Sequence, residues 1–162
     1  MPHYAYKGSE DLDMEHYTKK TFSTTQSIGF MLTKARNLVI ADMDAALEPL
    51  DITSQQMGIV LWLSRGIAAT PFEMSKLLSI DTGLMTRMLD KLEAKGFLKR
   101  SRSNTDRRVI DLKLTRKGEA IAAEIPSIAL PVLNGRLKNF SKAEFKELQR
   151  LLGKFIDADT QR

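Results

Sequence analysis

Residues 82–115 read TGLMTRMLDKLEAKGFLKRSRSNTDRRVIDLKLT, and this stretch decides the fold because its hydrophobic period changes at Gly96. Before this glycine, the apolar residues recur with helical spacing, at Leu84, Met85, Met88, Leu89 and Leu92. After it, residues 97–103 and 107–114 have the alternation of two strands, and turn-forming residues at 103–106 separate them. The stretch therefore predicts a helix that is followed directly by a β-hairpin.

The chain upstream of this stretch predicts a polar arm and a long first helix. Residues 1–22 are polar and show no sustained period, which indicates an N-terminal arm. Ser23 and Gln26 have the spacing of a capping box, and the apolar residues that follow keep helical spacing almost to Pro49. Because proline disfavours helical geometry in the residue before it, the first helix is expected to stop there.

Two short helices are predicted between the first helix and the quoted stretch. Thr53 and Gln56 have the spacing of a second capping box, which opens an apolar segment. Residues 70–73 (TPFE) combine an N-cap threonine, a proline at the first helical position and a glutamate at the third. The helix of the quoted stretch can then be capped by Asp81 or Thr82.

Two helices are predicted after the hairpin. Thr115 caps the fifth helix, which Pro126 and Pro131 are expected to bend or break. Ser141 and Glu144 form a further capping box and open a sixth, amphipathic helix. Its apolar face carries Phe145, Leu148, Leu151, Leu152, Phe155 and Ile156. The order of elements predicts a mainly α fold with a small β-hairpin wing, which is a winged helix-turn-helix with a helical dimerisation region.

Composition excludes several classes of function. The chain has 162 residues, 43% of them hydrophobic, and a net charge of +5 with a pI near 9.5, which suits a polyanionic partner. It has no cysteine, and its two histidines, His3 and His16, lie in the arm, so no metal site and no cofactor is expected. No signal peptide or membrane-spanning segment is evident, which predicts a cytoplasmic protein.

The fourth helix has a polar face that can enter the major groove of DNA. Gly83, Thr86, Arg87 and Asp90 lie opposite the apolar stripe, at helical spacing. Arg87 can bond guanine N7 and O6, Thr86 can touch a thymine methyl or a phosphate, and Thr82 lies where helix amides favour phosphate. Any amphipathic helix has a polar side, so this segment taken alone favours an ordinary solvated surface.

The hairpin carries the chain's positive charge. Between Lys95 and Lys117 there are nine basic residues and two acidic ones, a net charge of +7 in a chain whose total is +5. Such a concentration repels itself unless a polyanion is bound. Arg102, Arg107 and Arg108 are therefore predicted to contact DNA, with the two consecutive arginines at the tip suited to a narrow minor groove. Asp106 would repel phosphate, so its expected role is to orient a neighbouring arginine.

The chain resembles the MarR family of bacterial regulators from about Gln26 to Phe155. The resembling stretches are LDITSQQ at 50–56, TRMLDKLEAKGFLKR at 86–100 and DRRVIDLKLTRKG at 106–118. The resemblance implies an obligate dimer held by the first, fifth and sixth helices, and it places Thr86 and Arg87 on the recognition face. It also implies a wing tip at 106–108; the family pattern of Asp, any residue, Arg favours Arg108 for the minor groove.

The predicted division of the chain follows from this resemblance and from the apolar faces of the first and last helices. Residues 1–22 form the arm, residues 23–50 and 116–162 the dimerisation region, and residues 51–115 the DNA-binding lobe. A symmetric homodimer predicts a palindromic duplex operator, with half-sites about 10 bp, or ~34 Å, apart.

The resemblance also implies a repressor that a small aromatic or phenolic acid releases from DNA. Residues predicted to face such an effector, an aromatic carboxylate, are Met31, Arg36, Met57, Trp62 and Arg65; core packing or solvation is the stronger explanation of these side chains. A constitutive regulator without an effector and a winged-helix protein-interaction module remain alternatives. No nucleophile, phosphate loop or cofactor cradle is found, so no enzyme is expected, and the carboxylates of Asp42 and Asp44 are interpreted as solvated.

Overall fold

The structure is a computed structural model that describes residues 15–103 and 108–157. The chain divides into two compact units, residues 1–38 and 39–162. The first unit contains a short 3-10 turn, Thr24–Gln26, and the beginning of helix α1, Ile28–Leu47. Its Tyr17 ring packs edge-on against Phe22 at a centroid distance of 6.0 Å.

Helix α1 begins later than its sequence predicts. Ser23 makes no capping hydrogen bond through its side chain, and the 3-10 turn intervenes, so the predicted capping box of Ser23 and Gln26 is wrong. Ser27 takes over the capping role, because its Oγ accepts the Phe30 N–H at 3.2 Å. The Tyr17 hydroxyl accepts the Ile28 N–H at 2.9 Å, so part of the predicted arm satisfies the start of the helix.

The second unit contains the remaining elements. After a 3-10 turn at Glu48–Leu50, they are α2 (Ser54–Ser64), α3 (Pro71–Leu78), α4 (Thr82–Ala94), β1 (Leu98–Arg102), β2 (Ile110–Leu114), α5 (Arg116–Leu137) and α6 (Lys142–Asp157). The two strands pair antiparallel, with Leu98 opposite Leu114 and Arg102 opposite Ile110. The winged helix-turn-helix order is therefore present as predicted.

Local capping fixes most helix starts in this unit. Both predicted boxes of α2 and α3 form, with Thr53 and Gln56 in one and Thr70 and Glu73 in the other. Asp81, not Thr82, is the N-cap of α4. The capping boxes close orphan amide groups with side chains only three residues away, which explains why sequence alone could locate these helix starts.

The core of the second unit packs α2, α3, α4 and α5 against the base of the hairpin. Its largest fully buried side chains are Phe97, Leu47, Ile59, Met74, Met85, Leu89, Leu92, Leu98, Ile125 and Val60. The apolar stripe predicted for α4 supplies four buried residues, and Leu84 is partly buried beside them. This packing sets the opposite face of α4 towards solvent.

Two expectations about the helices need correction. Helix α5 continues over 22 residues and contains both Pro126 and Pro131, so the predicted break is wrong, and the alternative of a bend stays a prediction. Asp42 and Asp44 are not merely solvated: Asp42 pairs with Arg136 of α5 at 2.6 Å, and Asp44 accepts the Ser54 N–H at 2.6 Å. These carboxylates therefore connect the C-terminal half of α1 to α5 and to the start of α2.

Within residues 15–103 and 108–157, no helix is both long enough and apolar enough to cross a membrane. The same ranges contain no group of three or more acidic or imidazole side chains that could hold a metal ion.

Candidate nucleic-acid interface

Helix α4 presents the polar face that its sequence predicts. Thr82, Gly83, Thr86, Arg87 and Asp90 are all exposed, while Met85, Met88, Leu89 and Leu92 are buried on the other side. Asp81 caps the start of the helix, because its carboxylate accepts the amides of Gly83 and Leu84 at 2.9 and 3.1 Å. A 13-residue helix capped in this way is a rigid support for side chains that read a groove.

Gly83 has no side chain, and this leaves room on the outer face of α4 for the side chain of Arg87. A Cβ atom at position 83 would lie 3.1 Å from the Asp81 carboxylate and 3.7 Å from Arg87 Nη1, so the guanidinium lies over the glycine. Thr86 donates its hydroxyl hydrogen to the Thr82 carbonyl at 2.9 Å, which restrains its rotamer. Arg87 and Thr86 thus form an accessible edge of the helix.

The basic side of α4 extends beyond the predicted residues. Arg87 also lines a cleft of about 260 Å³ between α4 and the start of α2, together with Gln55, Lys91 and Lys95. Lys91 is exposed one helical turn after Arg87. The sequence prediction omitted Lys91 and Gln55, although their spacing, four residues from Arg87 and two from the Thr53 cap, could have indicated them.

The wing rises from β1 and β2. The Ser103 amide donates to the Val109 carbonyl at 2.9 Å, which closes the pairing above Arg102. Arg102 and Arg108 are exposed. Asp106 and Arg107 lie outside the described residues, so the assignment of the wing tip remains a prediction.

The base of the wing is fixed to the lobe by a hub at Thr115. Its hydroxyl donates to the Gly96 carbonyl at 2.6 Å and accepts the Gly118 amide at 3.1 Å, so it joins the end of α4 to the start of α5. The Leu112 amide donates to the Ala69 carbonyl at 2.6 Å and thereby attaches β2 to the loop before α3. The hairpin is therefore attached to the lobe at its base and along the outer edge of β2.

Among the described basic residues between positions 95 and 117, Lys95, Arg100 and Lys117 each contact groups of the lobe itself. Lys95 pairs with the carboxylate of Asp51 at 2.8 Å. Lys117 lies over the Phe97 ring at 4.6 Å and donates to the Lys95 carbonyl at 3.1 Å. Arg100 is held against α4, as described below. The cationic surface offered to a partner is therefore smaller than the net charge of the segment suggests.

Asp90, which was predicted to face DNA, is paired with Arg100. Arg100 Nη1 lies 2.7 Å from Asp90 Oδ1, and its Nε lies 3.6 Å from Glu93 Oε2. Arg100 and Leu98 point to the same side of β1, because side chains alternate along a strand. That alternation was the available signal for an inward-facing arginine, and it was missed.

The predicted effector residues occupy both units. Met31 and Arg36 belong to the first unit, where both are exposed. In the second unit, Met57 and Trp62 pack in part against the core, and Arg65 is exposed at the C-cap of α2. The second unit also has a cleft of about 630 Å³ at the base of the wing. Its lining is Leu63, Ser64, Gly66, Ala68, Ala69, Leu112, Lys113, Leu114, Glu119, Ala122 and Ala123.

Comparison with known proteins agrees with this architecture. The family model described as the MarR family matches residues 52–110. The Multiple antibiotic resistance protein MarR of Escherichia coli K12 is 37% identical over 111 residues, which cover 68% of this chain and 77% of that protein. The chain belongs to the MarR family. The family model spans α2, α3, α4 and β1 and ends at the first residue of β2, and the predicted resemblance to the family is confirmed.

Solved structures of MarR-family proteins have the same fold. A mutant E. coli MarR complexed with operator DNA gives a TM-score of 0.72 at 34% identity, covering 78% of this chain and 91% of that chain. The transcriptional repressor CouR, bound to a 23-mer DNA duplex, gives a TM-score of 0.73 at 27% identity, covering 82% and 94%. The predicted winged helix-turn-helix fold is thereby confirmed for this MarR-family chain.

Proposed function

We propose that this chain is a transcription regulator that binds duplex DNA through helix α4 and the hairpin of β1 and β2. The observation that carries the proposal is the exposed edge of α4, where Arg87 lies over Gly83, next to a hairpin with exposed Arg102 and Arg108. A bidentate arginine on a rigid helix can read guanine, while wing arginines supply sequence-independent attraction to the duplex. The relatives solved with DNA support this reading.

The proposal is tested by selecting bound duplexes from a random pool and then measuring the affinity of variants. Arg87→Ala is expected to cost ~1–3 kcal/mol on the selected site and less on unrelated duplexes. Replacing Arg107 and Arg108 with alanine should instead weaken binding to all duplexes and flatten its salt dependence. Wild-type protein that enriches no sequence and binds no duplex would refute the function, and unchanged affinity in the variants would refute the groove assignments.

We further propose that the functional unit is a homodimer, with residues 23–50 and 116–162 as the dimerisation region and residues 51–115 as the DNA-binding lobe. Helix α6 supports this, because its apolar residues are exposed in the single chain: Phe155 by 57% and Ile156 by 71%. A symmetric pair predicts a palindromic operator. Sedimentation at micromolar concentration should give twice the mass of the chain, and a stable folded monomer would contradict the dimer.

The finer role that we propose is repression relieved by a small aromatic or phenolic acid. It rests on the family resemblance and on the two places where a carboxylate could bind. Within the second unit, these are the surroundings of Arg65, a residue of the predicted set, and the cleft at the base of the wing, where Lys113 is the basic residue. Repeating the DNA titration with a panel of aromatic carboxylates, on Arg65→Gln and Lys113→Gln proteins, separates the two. If no member of the panel weakens binding, the regulator is constitutive towards this class.

A further inference from the structure

We propose that Arg100 is a positioning residue for DNA binding, which locks the wing to helix α4 and neutralises Asp90 on the recognition face. The proposal deepens the proposed function and rests on it. In the sequence, Arg100 is one of the nine basic residues that give segment 95–117 its net charge of +7. The structure instead directs its side chain, which is 25% exposed, towards α4.

Four contacts hold Arg100 to one side of α4. Its guanidinium lies 2.7 Å from the Asp90 carboxylate and 3.6 Å from that of Glu93, and Nη2 lies 3.4 Å from the Thr86 carbonyl. Its backbone amide donates to Glu93 Oε1 at 3.0 Å. The planar fork of arginine suits several acceptors at once, whereas a lysine ammonium is a single point charge. One residue of β1 therefore reaches three successive turns of the recognition helix.

These contacts determine the angle between wing and helix. In the ladder, Arg100 lies opposite Leu112, whose amide is bonded to the Ala69 carbonyl on the outer edge of the hairpin. The hairpin is thus tied to α4 through β1 and to the rest of the lobe through β2. Simultaneous insertion of α4 and the wing into adjacent grooves requires a fixed angle between them.

The charge of Asp90 gives Arg100 its second role. The Asp90 side chain is 56% exposed on the face that would meet DNA. In the free protein, water hydrates this carboxylate, so the ion pair contributes little to folding. Once DNA displaces that water, an unpaired carboxylate would lie beside phosphates without solvation, which is costly. Loss of Arg100 should therefore harm DNA binding much more than it harms stability.

The test is a double-mutant cycle between Arg100 and Asp90 with a matched control. Arg100→Gln is expected to weaken binding to the selected duplex about tenfold or more. In the Asp90→Asn background, the same substitution should cost only about twofold to threefold, because the uncompensated carboxylate is gone. Lys99→Gln removes an equal charge from the exposed side of β1, and its effect should be the same in both backgrounds.

The two controls make each outcome decisive. If Arg100→Gln costs no more than Lys99→Gln, or if Asp90→Asn does not reduce its effect, Arg100 is one more surface cation and the proposal is wrong. Should Arg100→Gln fail to fold, as judged by circular dichroism, the cycle is run with Arg100→Lys. That variant retains the charge and loses the fork, so it should still weaken binding in a manner that Asp90→Asn relieves. Wild-type protein that binds no duplex would refute the proposed function instead.

Discussion

Thr115→Val removes the hydroxyl that joins helix α4, strand β1 and helix α5 while conserving the shape of the side chain. Its two shorter hydrogen bonds disappear, the donation to the Gly96 carbonyl at 2.6 Å and the acceptance of the Gly118 amide at 3.1 Å, together with the 3.4 Å contact to the Phe97 carbonyl, which shares the same hydroxyl hydrogen. Each contributes about 1 kcal/mol net, and the second is also the N-cap of α5, so the expected loss is about 2 kcal/mol. At an m-value of about 2 kcal/mol per molar urea, the unfolding midpoint should fall by about 1 M.

Thr115→Ser is the matched control, because it retains the hydroxyl and loses only a methyl group. Both variants and the wild type are unfolded in urea at one protomer concentration, since the midpoint of a dimer depends on concentration. The hub requires Thr115→Val to be the less stable variant. If valine is as stable as serine at this position, the two hydrogen bonds do not support the base of the wing and the reasoning fails.

Two further substitutions test the packing around the hub and the capping of α3. Gly118→Ala should cost about 1–3 kcal/mol in the same urea titration, because its Cβ would collide with the Phe97 carbonyl. Gly135→Ala, where a Cβ meets nothing within 4 Å, is the control, and an equal loss there would contradict the clash. The hydrogen bond that the Ala69 amide donates to the Glu73 carboxylate is the main cause that lowers the pKa of Glu73. The ionised carboxylate therefore stabilises the fold above the pKa of Glu73 in the unfolded chain, and this stabilisation is lost as pH falls through the pKa in the folded protein. Wild-type protein should accordingly lose more stability than Glu73→Gln on acidification below about pH 4.5, and equal losses would exclude this role of the carboxylate.

The fold could be predicted where short-range chemistry decides it. The boxes at Thr53 and Thr70 close within three residues, so the sequence contains the whole interaction. The prediction that Ser23 caps α1 was wrong because Ser27 offers the same hydroxyl group closer to the apolar residues of the helix. The local sequence does not distinguish between these two serines. The predicted break at Pro126 does not occur, because each proline removes one helical hydrogen bond while the other bonds of the 22-residue helix remain.

The candidate site was predictable as a surface and less so as a set of contacts. Helical periodicity correctly predicted that Thr86 and Arg87 are exposed, since the buried stripe leaves one face of the helix for solvent. It could not show that Asp90 is paired, because its partner lies ten residues away on a strand. Likewise, Asp42 meets Arg136 across 94 residues of chain, a separation that no local pattern encodes.

Counting cations in the hairpin segment overstates its contact with DNA. Salt dependence reports phosphates neutralised, at a slope of about 0.9 per contact on duplex DNA. Lys95 pairs with Asp51, Lys117 packs over the Phe97 ring, and the Arg100 side chain is directed towards α4. We therefore do not expect these three side chains to be phosphate ligands. Their substitution should change affinity by disturbing the base of the wing, with little change in slope. Substitution of an exposed cation such as Lys99 should change both the affinity and the slope of the salt dependence. This difference distinguishes residues that support the wing from residues that contact the duplex.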